Sequence, residues 1–533
     1  MRFHQVFGSE NAETDDLLYE CAVDTMIRRY TSPILTGRWG TGKTAVFFLQ
    51  NDILRESLRK KREQYREEWY LRESSLDIEM LIRLHIDMKH DRVYFRRILE
   101  KIWFAEIVRR YTRILALLED SFTTSSGEHW KRVNTLAKMA VLETSLWTQI
   151  PDITGIIFAL ARGENIKEPM SRVSRSLAEI FDKSSYESVK KCLYDVRKFS
   201  ISVAVEPIET PVSDVENSQL ANDIVASLLN TFRKYFEPSI DNPFYVRIAI
   251  PWHRFNVSNL DFPQKIYPYK ENIVWSKEEL FAFINKRIEW EFRRVGRRYA
   301  QNKHPWYVLF PKEVQNGVTT PPVQEDSFSY ILRHTHHRPR DLQRLTRSIV
   351  KHYANRRQLP VDEVLLKHQI DKEAIKNTLR AECPQIAQLL IEEGQRRYGQ
   401  LYELVEKLRG LPLPFSQDDL KRRIQMMEMD INRAILMLWD VGILGVYVYT
   451  RYNSKLDLRL KNNFPPDMLR IEYAQQNAVC WNWFEYNYTG DPITLLEKIK
   501  SLDGEERPLL ALHPVTFEYF TPRSFVAHCP IGI

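Results

Sequence analysis

Cysteine, glycine and long apolar runs are all scarce in this chain of 533 residues. Its five cysteines, Cys21, Cys192, Cys383, Cys480 and Cys529, stand singly, without a C-x-x-C pair. That spacing argues against a disulfide frame or a structural zinc and points to a reducing, cytoplasmic setting. No run of about 18 or more apolar residues occurs, so no membrane span is expected. The opening Met1-Arg2-Phe3-His4-Gln5-Val6-Phe7-Gly8-Ser9-Glu10 lacks an apolar core, so no secretory leader is expected either. Glycine numbers 17, roughly 3% of the chain where ~7% is usual.

Against that scarcity, Gly37, Gly40 and Gly42 fall within one short stretch. The string Gly37-Arg38-Trp39-Gly40-Thr41-Gly42-Lys43-Thr44 is a complete G-x-x-x-x-G-K-[ST] phosphate loop. Pro33-Ile34-Leu35-Thr36 predicts a short buried strand feeding it, and Ala45-Val46-Phe47-Phe48-Leu49 opens an apolar helix. Backbone N–H groups at a helix N-terminus, backed by the helix dipole, form an anion site. Lys43 is expected to reach the β- and γ-phosphates, and the Thr44 hydroxyl to take a place on Mg²⁺. The alternative is a plain glycine turn followed by a chance Lys-Thr. Strand, loop and helix in sequence favour a nucleoside triphosphate site.

The length predicts about three or four units, and 28% charged with 44% hydrophobic residues describes a globular protein. Net charge is +7 but uneven. Residues 286–303 carry Lys286, Arg287, Arg293, Arg294, Arg297, Arg298 and Lys303 against Glu289 and Glu291, and residues 333–357 carry eight basic residues against Asp341. Such local excess attracts polyanions, or surrounds the phosphates of a nucleotide.

Residues 50–118 read as almost wholly helical, with a charged helix over Arg55 to Arg72 and an amphipathic one over Val93 to Leu118. Phe199 to Glu206 and Phe244 to Pro251 read as strands, with one helix from Gln219 to Phe236 between them. Strand, helix, strand downstream of a phosphate loop predicts a parallel α/β sheet. Ser276-Lys277-Glu278-Glu279 is a capping box. It opens a region that reads helical to about residue 395, apart from a turn-rich stretch from Pro311 to Pro322. After the linker Leu411-Pro412-Leu413-Pro414 come two helices, Ser416 to Gln425 and Met427 to Val441. The strand Gly442 to Tyr449 follows, in the order of a winged helix. The aromatic C-terminal residues Trp481, Trp483, Phe484, Phe517, Tyr519 and Phe520 read as strands completing that domain.

A phosphate loop works with a buried strand ending in an acid that holds the Mg²⁺ shell. Val203-Ala204-Val205-Glu206-Pro207-Ile208-Glu209 is the candidate, with Glu206 at the strand end. Pro207 stands where a catalytic base would follow, so hydrolysis is expected to be slow or to depend on Glu209. A strand simply running into an exposed loop is the alternative. Further on, in Arg338-Pro339-Arg340-Asp341-Leu342, Asp341 starts a helix with Leu342, Leu345, Ile349 and Val350 inward, and two arginines precede it. An arginine there suits a lid that folds over the γ-phosphate. His336 and His337 are adjacent, face different ways and make a poor metal pair.

Taken together, these blocks resemble the KAP and STAND-related branch of prokaryotic AAA+-like P-loop ATPases, many of which sit in antiphage defence loci. The resemblance runs over roughly residues 5–450, from the Phe7-Gly8-Ser9-Glu10-Asn11-Ala12-Glu13 entry to the helix–helix–strand block. It implies an α/β P-loop NTPase core at 1–275 with a helical insertion at about 50–195. A helical lid at 276–410 and a winged-helix-like α+β domain at 411–533 would follow. It also implies Lys43 and Thr44 on phosphate and Mg²⁺, Glu206 as the metal-side acid and Arg340 as the lid sensor. Two departures stand out: Glu206-Pro207 where the family usually has consecutive acids, and Pro251 and His253 where it often has Arg-x-Asp. Both weaken the case for fast turnover and leave nucleotide binding untouched.

The expected function is an ATP-binding, slowly hydrolysing switch or assembly platform, homo-oligomeric, acting on a protein effector. One alternative is a nucleotide-stabilised scaffold that does not hydrolyse. Another is a DNA-binding ATPase that uses the winged helix, with Lys421, Arg422 and Arg423, together with the basic lid.

Overall fold

Parallel strands buried on both faces need apolar side chains at nearly every position. Ile34-Leu35, Val203-Ala204-Val205 and Ile248-Ala249-Ile250 supply them, each at most 2% exposed. The computed structural model describes residues 32–37, 41–43, 46, 68–71, 92–116, 127–140, 183–195, 202–205, 215–251, 255, 263–316, 323–395, 398–451, 455–463, 473–474, 479–484, 492–503 and 509–520. They form two compact units that divide in sequence between Ile273 and Val274.

The first unit is an α/β core. Its sheet contains β1 (Ile34–Gly37), β2 (Glu68–Leu71), β3 (Ser202–Val205), β4 (Tyr245–Pro251) and β5 (Lys270–Asn272). They run in the order β2-β3-β4-β1-β5, and every neighbouring pair is parallel. Four long helices accompany it: α1 (Arg92–Ala116), α2 (Gly127–Ala140), α3 (Lys183–Asp195) and α4 (Val215–Thr231), the last continued by a π-turn over Phe232–Phe236. α1 packs along α4, and α2 packs on both α1 and α3.

Polar ties fix that packing. Trp103 Nε1 donates to the Ile224 carbonyl at 3.1 Å, and the Tyr111 hydroxyl donates to the Tyr245 carbonyl at 2.8 Å while accepting the Tyr245 amide at 2.9 Å. The second tie clamps α1 to the start of β4. Asp223 of α4 is fully buried and receives Arg92 at 2.9 Å and Arg96 at 2.6 Å from α1. A buried carboxylate shared by two guanidiniums is costly to break from one side, because Arg96, with its side chain 16% exposed, would be left largely out of water, whereas Arg92 keeps solvent contact.

The second unit is mainly helical. It begins with α5 (Lys277–Val295), whose capping box is formed as the sequence predicts and whose end is turned by Gly296 at φ 77. There follow α6 (Pro305–Leu309), the hairpin β6 (Glu313–Asn316) and β7 (Val323–Asp326), α7 (Ser327–Leu332), α8 (Pro339–Arg357), α9 (Val361–Lys367), α10 (Lys372–Gln395) and α11 (Leu401–Leu408). The C-terminal part contains α12 (Gln417–Ile424), α13 (Ile431–Val441), β8 (Leu444–Arg451), α14 (Lys455–Asn463), β9 (Tyr473–Ala474), β10 (Val479–Phe484), α15 (Pro492–Asp503), β11 (Leu509–Leu512) and α16 (Phe517–Phe520). Its sheet is antiparallel in the order β11-β8-β10-β9. Phe415 adds one bridge to the outer side of β11 through Leu510. No helix among the described residues is long and apolar enough to cross a membrane.

The structure revises the sequence reading in four places. Residues 68–71, at the end of the expected charged helix, form β2, because Trp69-Tyr70-Leu71 suits a strand and β3 offers it an edge. β6 falls inside the turn-rich stretch Pro311 to Pro322, and β7, its hairpin partner just beyond, replaces chain read as helical. The second C-terminal helix starts at Ile431, where the Asp430 side chain accepts the Asn432 and Arg433 amides, four residues later than expected. Phe517–Phe520, expected as strand, is helical and continues the 3-10 turn Pro514–Thr516.

Asp223→Ala is expected to lower the stability of the first unit by about 3 kcal/mol, read as a lower denaturant midpoint. A loss below about 1 kcal/mol would mean that the cluster behaves as an exposed ion pair.

Candidate nucleotide site

The phosphate-loop sequence leaves the C-terminal end of β1. That strand hydrogen-bonds β4 on one side and β5 on the other: Thr36 is level with Ile250 and Asn272, and Gly37 with Pro251. The chain leaves β1 towards the β2 edge and later crosses to β5 on the opposite side. β1 is therefore where the strand order reverses, and a crevice outside the strand ends at such a point is where open α/β sheets bind ligands.

Two glycines meet backbone demands that other residues would not. A Cβ on Gly37 would lie 2.6 Å from the Thr41 hydroxyl oxygen, so Thr41 lies close against the strand end. Gly42 has φ 88, in the left-handed region that favours glycine. The Gly42 carbonyl accepts the Val46 amide at 2.9 Å, the first turn of a helix starting there. A helix that begins at this point has no carbonyl one turn earlier for its first amides. Lys43 is 5% exposed, and its ammonium donates to the Gly37 carbonyl at 3.1 Å. Lys43 is thus held at the rim of the loop, beside the strand end.

The neighbouring strand supplies a feature that the sequence reading missed. The Thr36 hydroxyl hydrogen-bonds the Asn272 side-chain oxygen, and the Ile273 amide donates to the Thr36 carbonyl at 2.7 Å. Asn272 thereby pins the last turn of chain before Gly37. β5 is only Lys270-Glu271-Asn272, a polar triplet with no alternation to reveal it, so its role follows from pairing alone.

The rest of the expected constellation is partly described. Arg38, Trp39, Gly40 and Thr44 lie outside the described residues, as do Glu206, Pro207, Glu209 and His253. β3 is described to Val205, which pairs with Ile248, and Ile248 is level with Ile34 at the start of β1.

In the second unit, the arginines before α8 have different fates. Arg338 occupies the cap position of the helix, and its Nε donates to Asp341 Oδ2 at 2.8 Å. The same carboxylate accepts the His336 amide at 3.2 Å. Arg340 is exposed on the first turn of α8. The expected helix start at Asp341 thus moves to Pro339, and Asp341 serves to hold Arg338.

His336 is 1% exposed. Its Nε2 lies 2.9 Å from the Gly442 carbonyl and its Nδ1 3.3 Å from Arg338 Nη2. That pairing assigns the proton to Nε2. The ring stacks on His513 with centroids 4.2 Å apart, and the His513 amide donates to the Ile443 carbonyl at 2.7 Å. The start of α8 is therefore fastened to the turn between α13 and β8. His337 has φ 45 and donates its amide to the Thr335 hydroxyl. Burial works to raise the Asp341 carboxyl, but the Arg338 charge and the His336 hydrogen bond hold it well below the usual carboxylate range.

Burial, and then the neighbouring His513, push His336 well below the ordinary imidazole value of 6.5, against the pull of Asp341. His334 shifts the same way, through burial and the Arg333 charge. Groups titrating lower in the folded than in the unfolded chain make unfolding take up protons as pH falls. Their stability contribution is complete above about pH 6.5 and is lost below it. His336→Asn is expected to flatten the fall in melting temperature between roughly pH 7 and 5, with His334 supplying the remaining slope. An unchanged profile would remove His336 from this linkage.

No protein-family model matches the chain, and no curated protein is significantly similar to it.

Proposed function

We propose that the chain binds ATP with Mg²⁺ at Gly37–Thr44 and acts as a slowly hydrolysing nucleotide switch, or assembly platform, for a protein effector. The observation that carries this reading is the G-x-x-x-x-G-K-T string at the end of a buried parallel strand, at the point where strand order reverses, with Gly42 at φ 88 and Lys43 turned towards Gly37. β4 lies between the loop strand and β3. This supports an AAA+-like core, in which a strand intervenes between the phosphate loop and the acidic strand. Lys43 would hold the β- and γ-phosphates; Thr44, with Glu206 or Glu209, would hold Mg²⁺ and its waters. The ion would supply charge neutralisation at the phosphates. Pro207 leaves no base beside Glu206, which is the reason for assigning slow turnover.

The segment opening α8 is the proposed lid, with the exposed Arg340 as its sensor residue. Its hydrogen bond from His336 to Gly442 supports a mechanism in which lid and C-terminal part respond as one piece. The α12–α13–β8 order, with β11 lying between β8 and the Phe415 bridge, supports a winged-helix-like reading of that part. In a cytoplasmic homo-oligomer, this coupled face would be the one offered to the effector, in a role such as antiphage defence.

Lys43→Ala is expected to weaken Mg²⁺-dependent binding of a fluorescent ATP analogue at least tenfold, a loss of about 1.4 kcal/mol. Unchanged binding would sink the proposal. Phosphate release should fall about a hundredfold or more in Glu206→Gln with binding retained. The same loss in Glu209→Gln instead would transfer the metal-side role to Glu209. Absence of turnover in the unaltered chain would leave a nucleotide-stabilised scaffold.

A further inference from the structure

The two basic runs of the second unit are used differently. Around residues 286–303 three of the arginines are engaged within the unit. Arg287 is 1% exposed and lies over the Phe283 ring. Arg294 bridges Glu291 at 2.7 Å and Asp362 at 2.6 Å, and Arg297 donates to the carbonyls of Leu365 and His368 at 2.7 and 2.9 Å. These contacts cement α5 to α9 and the turn after it.

α8 is different. Leu342, Leu345, Ile349, Val350 and Tyr353 bury one side of it. Arg340, Arg344, Arg347, Ser348, Lys351 and Asn355 recur at three- and four-residue steps on the opposite side, all partly or fully exposed. The helix has one acidic residue, Asp341, and that carboxylate is bound to Arg338. α8 therefore contributes four cations and no acid to this face. Glu382 of α10 reaches it, 3.4 Å from Arg344, and also acts on Lys351. At the far end Arg356 and Arg357 both bind Asp371. Burial and the Arg347 charge lower the Lys351 pKa, with Glu382 opposing, so the face holds like charges close together.

From Arg340 to Lys351 the stripe is about 16 Å long at 1.5 Å per residue. That is the axial length of roughly five phosphates on one strand. Ser348 and Asn355 add neutral hydrogen-bonding groups of the kind that meet phosphate and sugar oxygens. An anionic membrane fits less well, because surface-lying helices pair their cations with inserted apolar side chains, and no large apolar residue of α8 is exposed. The α12 surface is less suited as well: Arg422 is bound to Asp419, and the exposed acids Glu428 and Asp430 follow closely.

We propose that the outward face of α8, centred on Arg344, Arg347 and Lys351, docks the phosphate backbone of a nucleic acid without reading its sequence. The inference does not depend on nucleotide binding at Lys43. Fluorescence anisotropy of the full chain with labelled single-stranded DNA, single-stranded RNA and duplex DNA over a salt series tests it. At least one of these is expected to bind at low salt. The double variant Arg347→Gln/Lys351→Gln should then weaken binding tenfold or more and reduce the slope of log affinity against log salt by about 2. The charge-keeping pair Arg347→Lys/Lys351→Arg should retain binding, which separates charge from misfolding. Lys43→Ala should also retain it. Failure of the unaltered chain to bind any of the three, binding unaffected by the Gln pair, loss with the charge-keeping pair, or preference for phosphatidylserine vesicles over nucleic acid would overturn the proposal.

Discussion

The hydrogen bonding of β1 between β4 and β5 is the constraint from which the candidate site follows. A parallel strand in this position has both edges paired and both faces covered, so a shift by one residue would turn Ile34 and Leu35 to opposite faces and disrupt the packing on both. The register fixes the height at which Gly37 ends the strand, and Gly37 fixes where Thr41 and Lys43 turn back. Asn272 reinforces it from the β5 side. The loop therefore takes its geometry from two strands far away in sequence as much as from its own glycines.

A comparable economy governs the segment before α8. One carboxylate, Asp341, receives the Arg338 side chain and the His336 amide, and His336 passes the connection to Gly442. The two arginines that flank Pro339 consequently separate into a largely buried structural residue and an exposed one. Spacing could not have divided them, since both positions precede the same apolar helix face. The difference arises from which side chain finds an acid when the helix turns.

The parts legible in the sequence were those whose signal is local. Ile34-Leu35 and Val246 to Ile250 are apolar runs of strand length, the Ser276 capping box contains its own partners, and α8 keeps its inward leucines in register. The Gly42-Lys43 pair was equally plain. What escaped detection depends on distant partners: β2 is a four-residue edge inside a charged stretch, and β5 is three polar residues made into a strand by β1. The stacking of His336 on His513 joins positions that no local pattern relates. The α8 face was half visible, because the excess charge could be counted but its emergence on one exposed side required the packing that buries Leu342, Leu345, Ile349 and Val350 on the other.

The pairing of Ile34 with Ile248, and of Thr36 with Asn272, also sets a timetable. On a ribosome β1 emerges early, but its first neighbour is made more than two hundred residues later, and its second later still. At roughly 5–20 residues per second the apolar strand and its lysine wait on the order of ten to fifty seconds for a sheet to join. During that interval the most recognisable motif in the chain is present without the structure that would let it hold a ligand. A nascent chain in which β4 and β5 have yet to be made should therefore be protected by something other than its own core.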